Sequence, residues 1–216
     1  MAIQSSFKNM VLTLLTVSLI SATVLGFVHS LTKDAIEASK LKAQNDAIKA
    51  ILPEFDHLGA SWKALPADAS DSLTFFPAYD GSNQLVAVAV KSYTNNGFSG
   101  LIEIMVGFKP EGDITGYQVL ETKETPGLGS KAQDWFSNEA KPKQNIIGKN
   151  PGTTDMHVSK DGGDVDAITA STITSRAFLE AVRRAYDTFK SAAPASATPE
   201  QTAAATAEPV TEGGES

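Results

Sequence analysis

The chain has 216 residues, a formal charge of -7 and no cysteine. The acidic balance excludes a nucleic-acid backbone as partner, because neutralising phosphates takes a basic patch, and the lack of cysteine excludes disulfides, thiolate-held iron–sulfur clusters, c-type haem attachment and thiol catalysis. With 42% hydrophobic and 20% charged residues, the composition is that of one globular domain with appendages.

The appendages come first in chain order. No charged residue stands between Lys8 and Lys33, and Met10 to Val28 is apolar apart from Thr and Ser. As a helix rising about 1.5 Å per residue, this stretch matches a hydrocarbon layer roughly 30 Å thick. Residues 1–9 are thus expected to be an N-terminal segment and 10–30 a transmembrane anchor. Val28-His29-Ser30 is a poor match to Ala-x-Ala, which, with the length of the apolar stretch, favours a retained anchor over a cleaved signal peptide. Lys8 on one side and Lys33, Lys40 and Lys42 on the other leave the orientation undecided by charge.

Residues 31–53 are rich in helix formers, with Ile36, Ala43, Ala47, Ile48 and Ile51 near one face and Pro53 as the stop. A stalk helix is expected there, resting part of that face on the domain. Residues 54–192 are expected to be that domain, with strands at Leu73–Pro77, Leu85–Tyr93, Leu101–Lys109 and Ile114–Lys123, where β-branched residues lie between turn-rich stretches. The turn Glu111-Gly112-Asp113 suits an antiparallel hairpin. Ser130–Ala140 is expected to form a short helix, and Thr172–Ala192 a longer one with Ile173, Ala177, Phe178, Val182, Ala185, Tyr186 and Phe189 as its inward stripe. Strands followed by helices without strict alternation predict an α+β fold, an antiparallel sheet packed by helices. Residues 193–216 lack aromatic residues and are expected to be a disordered tail.

Two segments carry chemistry. Residues 164–175 read Asp-Val-Asp-Ala-Ile-Thr-Ala-Ser-Thr-Ile-Thr-Ser, a short apolar strand passing into a hydroxyl cluster just before an amphipathic helix. Hydroxylated residues cap the free N–H groups of a helix start, and the same N–H groups with the helix dipole attract phosphate; the pattern alone leaves a plain cap and a phosphate site both open. The second segment, Glu124-Thr125-Pro126-Gly127-Leu128-Gly129, followed by Ser130 and Lys131, joins a rigid Pro to two glycines that permit close backbone approach. Gly97-Phe98-Ser99-Gly100 reads as a bulge or hairpin turn.

Taken together, these pieces resemble the FMN-binding domain family. Asp166 to Thr174 is similar to its flavinylation motif, Asp-x-x-[Ser/Thr]-Gly-Ala-[Ser/Thr]-x-Thr, with Ala170 in place of Gly and Ser171 in place of Ala. The resemblance implies that a periplasmic-type flavin transferase joins FMN to Thr174 through a phosphodiester. It also implies a cofactor site formed by Asp166, Thr169, Ser171 and Thr172 beside Thr174, by Glu124, Thr125, Gly127, Leu128, Gly129 and Lys131, and by Gly97 and Gly100. The anchor, the stalk ending Ala50-Ile51-Leu52-Pro53-Glu54-Phe55 and the single motif look most like the G subunits of Rnf-type complexes. The C subunits of sodium-pumping NADH:quinone reductases are the near alternative. Either resemblance implies a domain facing away from the cytoplasm of a bacterial inner membrane, other membrane subunits as partners, and FMN as an electron relay. For the Rnf type, electron transfer runs between ferredoxin and NAD and is coupled to ion translocation. An FMN carrier for a separate envelope reductase and a non-redox envelope protein are the rival readings. His29, His57 and His157 show no metal-ligand spacing, Trp62 and Trp135 read as packing residues, and Arg183 and Arg184 as the outer face of the last helix.

Overall fold

A computed structural model describes residues 7–192. The expected tail at 193–216 and residues 1–6 of the first segment lie outside the described residues. The chain divides after Asp46 into two compact units.

The first unit is the greater part of one uninterrupted helix, α1, from Phe7 to Ile51, so the spans expected for anchor and stalk lie on a single helix. No proline interrupts it before Pro53, which cannot continue the ladder. The hydroxyls of Thr13, Thr16, Thr23 and Thr32 donate to the carbonyls of Asn9, Leu12, Leu19 and Val28 at 2.8–2.9 Å. Each Thr thereby satisfies its donor within the helix, as an apolar surrounding requires. Leu12, Leu14, Leu19, Leu25 and Phe27 are exposed, and among the described residues α1 is the one helix long and apolar enough to cross a membrane.

The second unit is built on a six-stranded sheet. Its strands are β1 (His57–Leu58), β2 (Trp62–Ala64), β3 (Leu73–Tyr79), β4 (Leu85–Gly97), β5 (Gly100–Phe108) and β6 (Ile114–Thr122). The order is β1-β3-β4-β5-β6, with β2 also paired to β3 and all pairings antiparallel. The four longer strands fall where β-branched residues between turns predict them, with β3 and β4 running on past the expected Pro77 and Tyr93 to Tyr79 and Gly97. The two short ones carry too few residues for a period to show.

Side chains one residue apart point to opposite faces. Leu73, Phe75, Val88, Val90, Ile102, Ile104, Val106 and Phe108 bury one face against α3 (Thr172–Ala192), while Ala78, Ala87, Ala89 and Met105 bury the other with Ala47, Ile48, Ile51 and Leu52. Ile36 and Ala43, expected to share the face of Ala47, are exposed. On the α3 side, Phe178 stacks on Phe136 with ring centroids 4.6 Å apart and meets Tyr117 edge-on at 5.0 Å. Each such ring, fully buried, contributes about 1.5–3 kcal/mol through apolar area alone.

Three expectations need correction. The helix expected over Ser130–Ala140 is a 3-10 turn at Gly129–Lys131 followed by α2 at Ala132–Trp135 only. Asn138 ends it, because its Oδ1 accepts from Ala140 N–H and its carbonyl from Lys141 N–H, a local turn that competes with helix. The strand expected before the hydroxyl cluster is a single parallel bridge between Val158 and Val165. Arg184 is not on an outer face: its buried guanidinium bonds Asp68, Glu180 and the Tyr93 carbonyl. Trp62 stacks on Phe75 at 5.1 Å, and Trp135 Nε1 donates to the Asp166 carbonyl at 2.9 Å, so both are packing residues.

Candidate functional site

The start of α3 is set by a tight turn. Ser171 N–H donates to the Ile168 carbonyl at 3.0 Å, and Ala170, the third residue of that turn, has φ 63°. A positive φ at this position marks a type II turn, which favours Gly. The family motif's Gly thus has a backbone reason, and Ala170 occupies its place under strain. Ser175 locks the turn from inside the helix: its Oγ donates to the Ser171 carbonyl and accepts from Ile168 N–H, both at 2.9 Å. Arg176 makes a paired bond to Asp161 at 2.7 and 2.8 Å, tying the preceding loop to the first turn. That guanidinium holds the Asp161 carboxyl below its ordinary range.

Thr174 lies on the buried stripe of α3. Counting in steps of three and four, the buried residues run Thr174, Phe178, Ala181, Val182, Ala185 and Phe189. Ile173, expected to face inward, is one position off that stripe and 49% exposed. Thr174 itself is only 2% exposed, and its Oγ1 donates to Glu124 Oε2 at 2.8 Å across a separation of 50 residues.

Glu124, 7% exposed, is held by the strand side of the site. Its Oε1 accepts from Ser99 N–H at 3.1 Å, and its own N–H donates to Thr122 Oγ1 at 3.2 Å. Two glycines make room for the carboxylate. A Cβ on Gly97 would lie 2.6 Å from Glu124 Oε1, and one on Gly129 would lie 2.7 Å from Oε2 and 2.9 Å from Thr174 Oγ1. Asn96 and Thr94 near the end of β4 bond Glu180 of α3, fixing the hairpin beside the helix. Three segments that are unremarkable one by one therefore meet at a single carboxylate–hydroxyl pair.

The remaining expected residues sit around this pair in different ways. Gly97 pairs with Gly100 at the β4–β5 hairpin. The Thr125 carbonyl accepts from Leu128 N–H at 3.2 Å, and Gly127, with φ 78°, donates to Ser130 Oγ. Thr172 Oγ1 accepts from Lys160 Nζ at 3.4 Å. Thr169 is exposed and Ser171 is buried as the residue preceding α3. Asp166 is not brought to Thr174: its carboxylate accepts from Ser159 Oγ and its N–H donates to the Lys143 carbonyl, which fixes the loop before the turn. Lys131 is exposed, and among the described residues no hydrogen bond or ion pair joins it to the Thr174 cluster. Sequence reasoning misses Ser99 and Lys160. A backbone N–H leaves no trace in side-chain pattern, and Lys160 lies outside every motif.

These groups suit an FMN phosphate and ring. The first N–H groups of α3 have no acceptor within the helix, the dipole there favours an anion, and Lys160 adds a cation at the edge. Large apolar side chains stand on the same segments: Phe98 is 68% and Leu128 42% exposed, and the exposed Ile173 adjoins Thr174 in the chain. Such exposed rings and aliphatics fit a flat aromatic ligand. The Thr174 hydroxyl and the Glu124 carboxylate lie where these segments meet.

The chain is similar to several known proteins. The FMN-binding domain family matches residues 97–187, the stretch that holds all three segments. The G subunit of the ion-translocating oxidoreductase complex of Vibrio vulnificus is 32% identical, covering 80% of this chain and 86% of that one. Its counterpart of the same description in Aliivibrio fischeri is 30% identical over 86% of this chain and 91% of its own. Among solved structures, Shewanella oneidensis NqrC shows 24% identity over 58% of this chain and 61% of that chain, with a TM-score of 0.39.

Proposed function

Because the chain belongs to the family of G subunits of ion-translocating oxidoreductase complexes and carries an FMN-binding domain, we propose that FMN is joined to Thr174 by a phosphodiester. On this reading the chain is the electron-carrier subunit of a membrane complex that couples electron transfer between ferredoxin and NAD to ion movement. When bound, FMN supplies the redox chemistry, and the protein supplies attachment, orientation and electrostatic setting. The observation that supports the reading is the meeting of the α3 start, the Glu124–Gly129 loop and the β4–β5 hairpin at Thr174 Oγ1, which donates to Glu124.

Each neighbour then has a task. The first turn of α3 and Lys160 attract the phosphate, while Thr172 holds it without reacting. The Glu124–Gly129 loop, with Leu128, and the hairpin bearing Phe98 form walls for the ring. The residues at 10–30 form the anchor, those at 31–53 the stalk and those at 54–192 the FMN-binding domain. The domain lies on the extracytoplasmic side of the bacterial inner membrane, an orientation resting on the motif, whose transferase works there. Maturation requires that flavin transferase, and function requires the other membrane subunits. The test is Thr174→Val, which keeps the shape and removes the nucleophile: covalent flavin is lost while the domain stays folded, and flavin persisting on the Thr174→Val chain contradicts the assignment.

A further inference from the structure

We infer that Glu180 is a positioning residue for the flavin: acting through Asn96, it fixes the tip of the β4–β5 hairpin, and with it Phe98, to the helix that carries Thr174. The inference rests on the reading of that hairpin as a wall for the ring and adds the residue that holds the wall in place. The tip does not hold itself. Gly97 pairs with Gly100, but the β4–β5 ladder shifts register between Thr94 and Gly97, so regular pairing breaks off just before the turn. Gly100 has φ 105°, a conformation that glycine adopts freely. Phe98 is 68% exposed, so burial of its ring does not anchor the turn.

Polar ties take the place of that packing. Glu180 Oε1 accepts from Asn96 Nδ2 at 3.0 Å and from Thr94 Oγ1 at 3.3 Å, and Oε2 accepts from Asn96 Nδ2 at 2.8 Å. Asn96 N–H in turn donates to Thr94 Oγ1 at 3.1 Å. The carboxylate is itself held: Arg184 Nη2 donates to Oε1 at 2.7 Å, and that buried guanidinium is fixed by Asp68 and the Tyr93 carbonyl. Charge-assisted bonds of this kind are roughly twice as strong as neutral ones. On the other side of the turn, Ser99 N–H donates to Glu124 Oε1 at 3.1 Å. Glu180 and Thr174 stand on the same helix, α3, so one rigid element carries both the point of attachment and the tie on the wall. Asn96 is exposed, which lets the tie be cut without opening the core.

The experiment uses the full chain in detergent, first without flavin and then loaded by co-expression with the flavin transferase. In the flavin-free chain, amide hydrogen exchange is followed over residues 95–101. Asn96→Ala and Glu180→Ala are each expected to speed it about tenfold, the effect of losing a hydrogen bond to a charged group. The double variant should go no further than Glu180→Ala, because both changes cut one link. Glu180→Gln keeps an amide that can bond Asn96 and Arg184, and its exchange is expected to stay within about threefold of wild type. Asp68→Ala, which removes a partner of Arg184 but none of Asn96, should also leave it within about threefold.

In the loaded chain, Phe98→Ala reports on the wall itself and is expected to change the reduced-to-oxidised equilibrium of the flavin. Asn96→Ala and Glu180→Ala should likewise change it, by a factor of about three or more, as expected of residues coupled through one network. A shift with Phe98→Ala but none with Asn96→Ala or Glu180→Ala overturns the positioning role and leaves the wall intact. Glu180→Gln shifting the equilibrium as far as Glu180→Ala also overturns it, since charge and not the tie would then act on the flavin. No shift with Phe98→Ala overturns both.

Discussion

Replacing Ala170 by Gly is expected to stabilise the domain although it removes a side chain. Ala170 has φ 63° in the turn closed by Ser171 N–H on the Ile168 carbonyl. For a residue with a Cβ, this left-handed conformation costs about 1–2 kcal/mol. Glycine adopts it freely but gives the unfolded chain more freedom, an opposing effect of about 0.4–1 kcal/mol. Ala170 is exposed, so little packing is lost with its methyl group. The net gain is on the order of 0.5–1 kcal/mol, which for a domain of this size raises Tm by about 2–5 °C. Thermal unfolding of the detergent-solubilised, flavin-free chain, followed by circular dichroism, measures it. Ala170→Val, β-branched at a positive φ, should be destabilised in the same assay. If Ala170→Gly melts at or below wild type while Ala170→Val is tolerated, the strain argument is wrong.

Other substitutions probe the site more directly. Gly129→Ala places a Cβ 2.7 Å from Glu124 Oε2 and 2.8 Å from its Cβ, so it should displace the carboxylate, cost about 1–3 kcal/mol in overpacking and slow flavin incorporation; unchanged stability and incorporation would refute the close approach. Asp161 provides a pH test of the loop before α3. Its folded carboxyl is held below the ordinary value by the hydrogen bond from Arg176, so its contribution is present above the unfolded value near pH 4 and fades as pH falls through the folded value. A carboxyl NMR titration should place the Asp161 midpoint below that of an ordinary aspartate, and Arg176→Gln should return it; a midpoint indifferent to Arg176→Gln would contradict the pairing.

β-branched runs between turns and the helical period made the sheet and α3 legible because β4, β5 and α3 bury most of their apolar residues. The same reasoning misplaced Ile173, since apolarity alone could not tell that Thr174 rides the stripe of Phe178, Ala181 and Val182. It also overextended α2, where Asn138 offers the backbone a competing turn. The glycine-rich segments and the hydroxyl cluster could be identified singly. Their convergence could not, because the bond from Thr174 to Glu124 spans 50 residues and depends on antiparallel pairing that brings Gly97 and Thr122 to the same end of the sheet. Asp166 shows the opposite case: it stands within the motif, yet its bonds to Ser159 and Lys143 serve the loop and not the reacting hydroxyl.

The most direct measurement is peptide mapping of the chain after co-expression with flavin transferase, with mass and fluorescence read on denatured protein. The expected result is a fluorescent polypeptide carrying one FMN less one water, with the added mass on Thr174 and absent from Thr174→Val. An adduct on Thr169, Ser171, Thr172 or Ser175, or a denatured chain that has released all of its flavin, would contradict the account.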